Sequence, residues 1–379
     1  MVKKIPGELF DCTDKYIEPF EVVDVFNNDH ILKGYICHKD GQYYGSMLIT
    51  HINGMQTIDG GIVIYGTPKQ KYPFDKNGIW RFPSTEKITI YDKIDGTNVL
   101  GFKYIFRGKE YVSYKLRLTP VVRNSRFGNF LDMWRKMLEK YPISERLKDH
   151  ISYNFSFELY GNSNKHLIEY DVLLDIALLF IVNNQTGEII DLDTANLCFS
   201  GIPQAKKEVS INKKTDLVSY YRKLQEEKEA KIQKLEDGSL KGSEGSVWYL
   251  HTIDDKVIQF KMKPESVEQI HWAKGLDKNI ILATVMNCYE NTDIVDFEAV
   301  KKLLLEEFSE RTIEDSARLI DICIKEIDKR IKFEEEIVSF YKTHQLDIKE
   351  DKVGTMRAFS KEYPKDAMRK IFGILIKNL

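Results

Sequence analysis

The sequence lacks the cysteine and histidine spacings that mark common metal and redox sites. Its five cysteines, at positions 12, 37, 198, 288 and 323, form no CxxC pair, and its eight histidines form no HExxH motif. These absences argue against a zinc knuckle, a dithiol redox centre and a zinc protease. Scattered cysteines fit a reducing compartment, so we expect a cytoplasmic protein.

Long apolar runs and an excess of charge of one sign are also missing. The most apolar stretch, residues 172–183, contains Asp175 and is too short to span a membrane, and the first residues include no apolar signal segment. The 56 basic and 58 acidic residues give a formal net charge of −2. We therefore expect no membrane partner, and any nucleic-acid site must be a local basic patch.

Residues 1–264 combine strand patterns with two helical ones. Alternating apolar residues predict strands at 31–37, 43–50, 88–93, 104–113, 154–160, 174–182, 246–252 and 257–263. Helical spacing predicts helices at 130–148 and 216–235. Residues 1–85 form a β-rich N-terminal module that is either part of the same domain or separate from it; we favour a single domain, 1–264.

After Pro264 the strand patterns end. Apolar residues recur at helical spacing, as at Phe297, Val300 and Leu304, and nothing resembles a run of five strands. We therefore predict an all-helical domain over 265–379. The fold class is α+β, with a domain of antiparallel sheets and helices followed by this helical domain.

The segment Lys93-Ile94-Asp95-Gly96 places a lysine at the end of a predicted strand. Ile88 and Ile90 alternate with Lys93, so the lysine projects from the opposite face, and Gly96 permits a sharp turn. An amine in this position can act as a nucleophile once it is neutral, and we expect neighbouring cations and partial burial to lower its pKa. Taken alone, the motif is equally a surface lysine before a turn.

Three later segments carry charged residues on predicted strands. Glu158 alternates with apolar neighbours, Glu244 precedes a glycine, and Lys261 and Lys263 share one strand face. A carboxylate can accept hydrogen bonds from a sugar or hold a divalent metal, and two adjacent ammonium groups favour an anion between them. Each segment alone is also compatible with an ordinary solvated strand or turn.

Together the four segments resemble motifs I, III, IV and V of the covalent nucleotidyltransferase superfamily, which contains the ATP-dependent ligases and capping enzymes. The matching stretches are K-I-D-G at 93–96, E-L-Y-G at 158–161, E-G at 244–245 and K-M-K at 261–263. The resemblance implies an ATP-grasp-like nucleotidyltransferase domain. It further implies that Lys93 carries AMP, that Glu158 binds the ribose, that Glu244 binds Mg²⁺ or Mn²⁺, and that Lys261 and Lys263 contact the α-phosphate of ATP.

Other positions match the superfamily less specifically. Arg81 resembles an upstream arginine that contacts nucleotide phosphates, and Tyr91 and Asp92, next to Lys93, are further nucleotide-binding candidates. The basic residue of motif Ia corresponds to Lys115 or Arg117, and we favour Arg117. Where the superfamily often has an aromatic ring to stack on adenine, this chain has Leu174, so an aliphatic contact, Phe180 or another aromatic residue must replace it.

Within the superfamily the chain most resembles RNA ligases. The forms S-F-E-L-Y-G at 156–161 and K-I-D-G-T-N at 93–98 are similar to those of RNA ligases, and DNA ligases and capping enzymes have an OB-fold where this chain has helical patterns. The resemblance implies joining of 5′-phosphate and 3′-hydroxyl RNA ends through lysyl-AMP and AppRNA intermediates. The alternatives are a DNA ligase, a capping-type nucleotidyltransferase or a non-catalytic nucleic-acid-binding module.

A local basic stretch agrees with an RNA partner. Between Glu110 and Asp132 the chain has basic and aromatic residues but no acidic ones: Lys115, Arg117, Arg123 and Arg126, with Tyr111, Tyr114 and Phe127. Cations bind phosphates, and aromatic rings stack on unpaired bases. We therefore predict RNA contacts at Lys115, Arg123 and Arg126, although the same stretch could serve ATP alone. The sequence leaves the natural RNA and the oligomeric state open.

Overall fold

A computed structural model describes most of the chain as two compact units, Met1–Lys274 and Gly275–Leu379. The described residues are 5–27, 30–75, 78–124, 128–195, 197–212, 215–236, 238–254, 256–268, 276, 278–291, 295–305, 308 and 310–377. No helix among them combines the length and the apolar character that a membrane span requires.

The first unit consists mainly of strands. In chain order they are β1 (Ile17–Val23), β2 (Ile31–Cys37), β3 (Met47–Ile52), β4 (Met55–Gln56), β5 (Ile62–Ile64), β6 (Thr85–Lys93), β7 (Thr97–Phe106), β8 (Lys109–Leu116), β9 (Tyr153–Tyr160), β10 (Ile168–Glu169), β11 (Asp175–Asn183), β12 (Ile189–Asp191), β13 (Lys207–Asn212), β14 (Gln233–Lys234), β15 (Leu240–Lys241), β16 (Gly245–Thr252) and β17 (Val257–Met262). Its helices are α1 (Pro6–Leu9), α2 (Phe130–Lys140), α3 (Ile143–Asp149), α4 (Leu192–Ala195) and α5 (Leu217–Glu229).

These strands form antiparallel sheets that meet around a shared core. The N-terminal sheet has the order β1-β2-β3-β4 with β5 on β3; two further large sheets run β12-β11-β9-β7-β8 and β13-β6-β16-β17. The short sheet β10-β15-β14 includes one parallel pair, β10 with β15. The main core cluster contains residues from all three of the larger sheets, so the N-terminal module packs on the rest of the first unit.

Strand β6 shows how alternation positions the predicted nucleophile. Ile88 and Ile90 pack with Trp248 of β16 and Tyr221 of α5 on one face of the sheet. Tyr91 lies on the other face and belongs to the main core with Tyr249. Because side chains alternate along a strand, Lys93 lies on the Tyr91 face, as predicted.

Several predicted elements have different bounds in the structure. The strand predicted at 104–113 is a hairpin of β7 and β8, whose turn at Arg107 and Gly108 has positive φ angles of 50° and 74°. The helix predicted at 130–148 is two helices, because Tyr141 before Pro142 adopts an extended conformation that ends α2. The helix predicted at 216–235 ends at Glu229, and Gln233–Lys234 pairs as β14.

The second unit contains helices only, within the residues described between 276 and 377. They are α6 (Lys278–Asn291), α7 (Phe297–Leu304), α8 (Glu310–Asp315), α9 (Ala317–Thr343), α10 (Lys352–Glu362) and α11 (Met368–Lys377). The predicted periodicity has its physical basis in the core, where Val300 and Leu304 pack with Ile320, Cys323 and Ile327. The predictions of an α+β fold and of a helical C-terminal region are confirmed.

Candidate active site

The pairing of β6 with β16 brings Lys93 and Glu244 together although they lie far apart in sequence. Gly245 is directly opposite Lys93 in the register of these strands. Lys93 Nζ lies 2.5 Å from Glu244 Oε2, and Lys263 Nζ lies 2.9 Å from Glu244 Oε1. Glu244 is only 3% exposed. One buried carboxylate therefore bridges two ammonium groups.

The glycine after Glu244 has a specific steric reason. Gly245 adopts φ +146°, and a Cβ atom there would collide with the carbonyl oxygen of Met262 on the neighbouring strand β17. A side chain would therefore strain the backbone and push β17 away. Since Lys263 follows β17 directly, the close approach permitted by Gly245 also determines where the second ammonium group reaches Glu244.

The electrostatics of the cluster differ from the expectation for Lys93. Burial alone would lower the pKa of Lys93, but the carboxylates of Glu244 and Glu158 outweigh it and the pKa is raised. Burial would likewise raise the pKa of Glu244, but Lys263 and Lys93 lower it to about 2. The prediction of a lowered lysine pKa was wrong for Lys93, because anions rather than cations dominate its surroundings.

A lowered pKa is found instead at Lys261. Burial and the positive charges of Lys263 and Lys93 lower the pKa of Lys261 to about 7. Its ammonium lies 4.7 Å from the centre of the Tyr72 ring. Tyr72 was not found by sequence reasoning, because it lies far from the matched motifs and joins the cluster only where Lys71 bridges to Phe260 of β17. An anion between Lys261 and Lys263 would relieve their repulsion.

Asp95 anchors the loop that follows Lys93. Its carboxylate accepts hydrogen bonds from the backbone N–H groups of Leu167 and Ile168 at 2.6 and 2.7 Å. Its own N–H donates to the hydroxyl of Tyr170 at 2.7 Å. Gly96 then packs so closely on the carbonyl of Leu159 that a Cβ would collide with it. The D-G part of the motif therefore fixes the backbone on which the lysine is carried.

Glu158 lies on β9, opposite Asn98 of β7. It is 9% exposed, and burial raises its pKa to about 7 although Lys93 and Arg117 act in the opposite direction. No hydrogen bond reaches its carboxylate from any residue that the structure describes. A buried carboxylate without such a partner is suited to accept hydrogen bonds from a ligand, since unpaired burial is costly.

Arg117 is the better of the two candidates for the motif Ia cation. Its charge acts on Glu158, and its buried Nε has no hydrogen-bond partner among the described residues. Lys115, in contrast, is fully buried and donates to the carbonyl oxygens of Leu116 and Arg117 at 2.7 and 2.8 Å. The prediction that Lys115 contacts RNA was therefore wrong, because its ammonium is used to hold the backbone around Arg117.

Three further candidates lie away from the Lys93–Glu244 pair. Tyr91 is buried, and its hydroxyl donates to Asp191 at 3.2 Å, so a direct contact with nucleotide is contradicted by its place in the core. Asp92 faces the opposite side of β6 and accepts from Lys228 at 3.0 Å. Arg81 has a 68% exposed side chain that pairs with Asp75 at 2.8 Å. For Arg81 and Asp92 the nucleotide contact stays a prediction.

The remaining predicted contacts have mixed outcomes. Arg123 is half-buried, whereas Arg126 lies outside the described residues. Phe180 is fully buried in the main core, which removes it as a base-stacking candidate. Tyr160, on the same face of β9 as Glu158, packs edge-on against Tyr170 with ring centres 4.9 Å apart. These two rings are the aromatic groups next to the Asp95 loop.

Glu244 is the carboxylate of this cluster that could hold a divalent metal ion. Within the part of the chain that the structure describes, no cluster of three or more His, Cys, Asp or Glu residues could hold a metal ion. Magnesium is commonly held by one or two carboxylates together with substrate phosphates and water. The buried, ionised Glu244 fits such a site, provided that the substrate supplies the other oxygens.

Comparison with known proteins gives structural likenesses only. No family model and no curated protein matches the chain. An archaeal ATP-dependent RNA ligase is 14% identical over 89% of this chain and 80% of that chain, with a TM-score of 0.45. A proposed ATP-dependent DNA ligase from Aquifex aeolicus is 12% identical over 93% and 86%, with a TM-score of 0.44. A Naegleria gruberi RNA ligase variant solved with ATP and Mn is 10% identical over 69% and 98%, with a TM-score of 0.35. The chain is therefore similar in structure, at low sequence identity, to ATP-dependent RNA ligases and to a proposed DNA ligase.

Proposed function

We propose that this protein is an ATP-dependent RNA ligase that carries AMP on Lys93. The observation that carries the proposal is the buried Glu244 carboxylate between the ammonium groups of Lys93 and Lys263, 2.5 and 2.9 Å away. A lysine, an acid and a second lysine at such distances provide a nucleophile, a metal ligand and a phosphate contact in one place. The nearby carboxylate of Glu158 is available for the ribose hydroxyls of ATP.

The first step would transfer AMP from ATP to Lys93. The Lys93 ammonium, which Glu244 and Glu158 stabilise, first releases a proton to solvent, and the lone pair of the resulting amine then attacks the α-phosphorus. The N–P bond forms, the bond from the α-phosphorus to the bridging oxygen breaks, and pyrophosphate leaves. Lys261 and Lys263 offset the charge that builds on the phosphate oxygens. A magnesium or manganese ion at Glu244 would add charge neutralisation for the same oxygens.

The later steps would use the same site on RNA ends. A 5′-phosphate oxygen attacks the phosphorus of lysyl-AMP and releases Lys93, which gives AppRNA. A 3′-hydroxyl then attacks the 5′-phosphate phosphorus, forms the phosphodiester bond and releases AMP. Arg117 and Arg81 are the proposed contacts for nucleotide phosphates, and Arg123 and Arg126 are those for RNA. The covalent intermediate divides one difficult condensation into easier displacements.

Labelling with ATP tests the first step. Protein incubated with α-³²P-ATP and magnesium, then separated under denaturing conditions, should carry an acid-labile label that Lys93→Ala abolishes. Lys87→Ala is the matched control, because Lys87 lies on the same strand and pairs at the surface with Asp193. Label on the Lys93→Ala protein, or none on the wild type with any metal, would contradict the proposal. Labelling by GTP instead of ATP would favour a capping-type enzyme, and absence of label would favour a binding module.

Joining assays test the choice of RNA. The helical character of the second unit supports an RNA ligase over a DNA ligase, since the described residues 276–377 form no OB-fold strands. Single-stranded RNA, single-stranded DNA and nicked duplexes with 5′-phosphates should be compared in parallel. We expect RNA ends to be joined fastest. Joining of DNA alone would reassign the protein as a DNA ligase while leaving the lysyl-AMP step intact.

A further inference from the structure

A buried lysine on α5 contacts the reverse side of the proposed active site. Lys228 Nζ lies 3.0 Å from Asp92 Oδ1, 2.5 Å from Glu208 Oε1 and 2.9 Å from Ser243 Oγ. The residue is only 7% exposed. Three polar contacts on one buried ammonium satisfy its hydrogen-bonding capacity completely.

Two of the three partners of Lys228 immediately precede the residues assigned to chemistry. Asp92 precedes Lys93, and Ser243 precedes Glu244. Ser243 Oγ also donates to Asp92 Oδ1 at 2.6 Å, so the two chain segments are linked directly as well as through Lys228. Because side chains alternate, this network lies on the face of the sheet opposite Lys93. It therefore fixes the backbone from which both Lys93 and Glu244 project.

The charges of the network need Lys228 to be present. Asp92 and Glu208 place two carboxylates on its ammonium, and Ser246 Oγ donates to the other oxygen of Glu208 at 2.6 Å. Removing the ammonium would leave two carboxylates without their shared cation, and their repulsion would separate β6 from β13, which carries Glu208. It would also remove the contact from Lys228 to Ser243 before β16. A buried ion pair is weak evidence for stability alone, since apolar packing is often as stable. Its placement behind two catalytic candidates suggests a role in geometry.

We propose that Lys228 is a positioning residue for adenylylation, holding Glu244 at its distance from Lys93. The inference rests on the proposed function, because its effect is exerted through Lys93. The contact with Ser243 sets the backbone before Glu244, and the contact with Asp92 sets the backbone before Lys93. Displacements of the order of 1 Å between reacting groups can cost about a hundredfold in rate. The helix α5 thereby becomes part of the catalytic framework without touching substrate.

Single-turnover labelling with α-³²P-ATP tests this role. Lys228→Met should slow lysyl-AMP formation at saturating ATP by about tenfold or more, while the ATP concentration for half-maximal rate changes by less than about threefold. Lys228→Arg, which keeps the cation, should recover part of the rate. Lys228→Met combined with Glu208→Gln should also recover part of it, because one carboxylate is neutralised. Lys223→Met is the control, since Lys223 lies on the exposed side of the same helix and pairs only loosely with Glu227 at 3.7 Å.

If Lys228→Met does not fold, Ser243→Ala provides a second test, because it leaves the salt bridges of Lys228 intact. Ser243→Ala removes the link to Glu244 but leaves Asp92 and Glu208 paired with Lys228, and it should show the same selective loss of rate. Wild-type rates in Ser243→Ala and in any folded Lys228→Met protein would overturn the role of Lys228. Absence of label on the wild type would instead overturn the proposed function.

Discussion

Replacing Asp95 by alanine removes the acceptor that anchors the loop after Lys93. The backbone N–H groups of Leu167 and Ile168 both donate to one oxygen of Asp95, and both residues are buried. A buried donor without an acceptor costs about 1–3 kcal/mol, so two such donors predict a loss of about 2–6 kcal/mol in the free energy of unfolding. Because this loop directly follows Lys93, adenylylation should fall as well.

Urea unfolding monitored by tryptophan fluorescence measures this loss. All four tryptophans precede residue 275, so the signal reports the first unit. Asp171→Ala is the control, because its side chain is 90% exposed and pairs with Lys241 at 3.2 Å, a contact worth at most about 1 kcal/mol. Asp95→Asn keeps one acceptor oxygen and should fall between the two. If Asp95→Ala unfolded within about 1 kcal/mol of the wild type, the anchoring role would be refuted.

Three other changes test the site by separate routes. Gly245→Ala should abolish labelling and lower the melting temperature, because the φ angle of +146° and the Met262 carbonyl leave no room for a Cβ atom. Gly41→Ala is the control. Gly41 has a φ angle of +134° but open space around it, so this variant should lose less stability and keep labelling. As the pH drops through about 7, Glu158 becomes protonated and loses acceptor capacity, whereas Lys261 gains its charge over the same range. Titration calorimetry should therefore find Glu158→Gln weaker than the wild type at pH 8, with the ratio of wild-type to variant affinity falling as the pH drops. Lys115→Met should destabilise the protein by about 1–3 kcal/mol in thermal unfolding, because the partly buried carbonyls of Leu116 and Arg117 lose a donor, whereas Lys109→Met at an exposed position of the same strand should not.

The alternation of apolar and polar residues along the strands was the signal that predicted on which face each site residue lies. Alternation in β6 and β17 correctly placed Lys93 on the face opposite Ile88 and Ile90, and Lys261 on the face opposite Phe260. Such local rules work because each strand has one apolar face to bury. The same rules missed the hairpin of β7 and β8, because the alternating pattern of β7 continues through the turn at Arg107.

Errors at individual residues came from partners distant in sequence. Lys115 lies in a basic stretch of the sequence, which predicted a cation on the surface. In the structure the chain near Gly45 packs on Lys115 and covers its ammonium group. Cations were expected around Lys93, but the pairing of β16 with β6 brings the carboxylate of Glu244 into contact with the Lys93 ammonium group. Lys228 lies in a helix whose charged sequence resembles a solvated surface, and only the approach of β6 shows that one of its lysines is internal. Local patterns in a single sequence cannot predict these contacts between residues that are far apart in the chain.

The pairing of Lys93 with Glu244 has a consequence for the chemical reactivity of the lysine side chain. An amine held in its charged form has no lone pair available, so acylating agents and aldehydes in the cell react with it slowly. The side chain is also only 18% exposed. If Lys93 is the nucleophile, as we propose, a bound substrate must rearrange the charges around it before the amine can react.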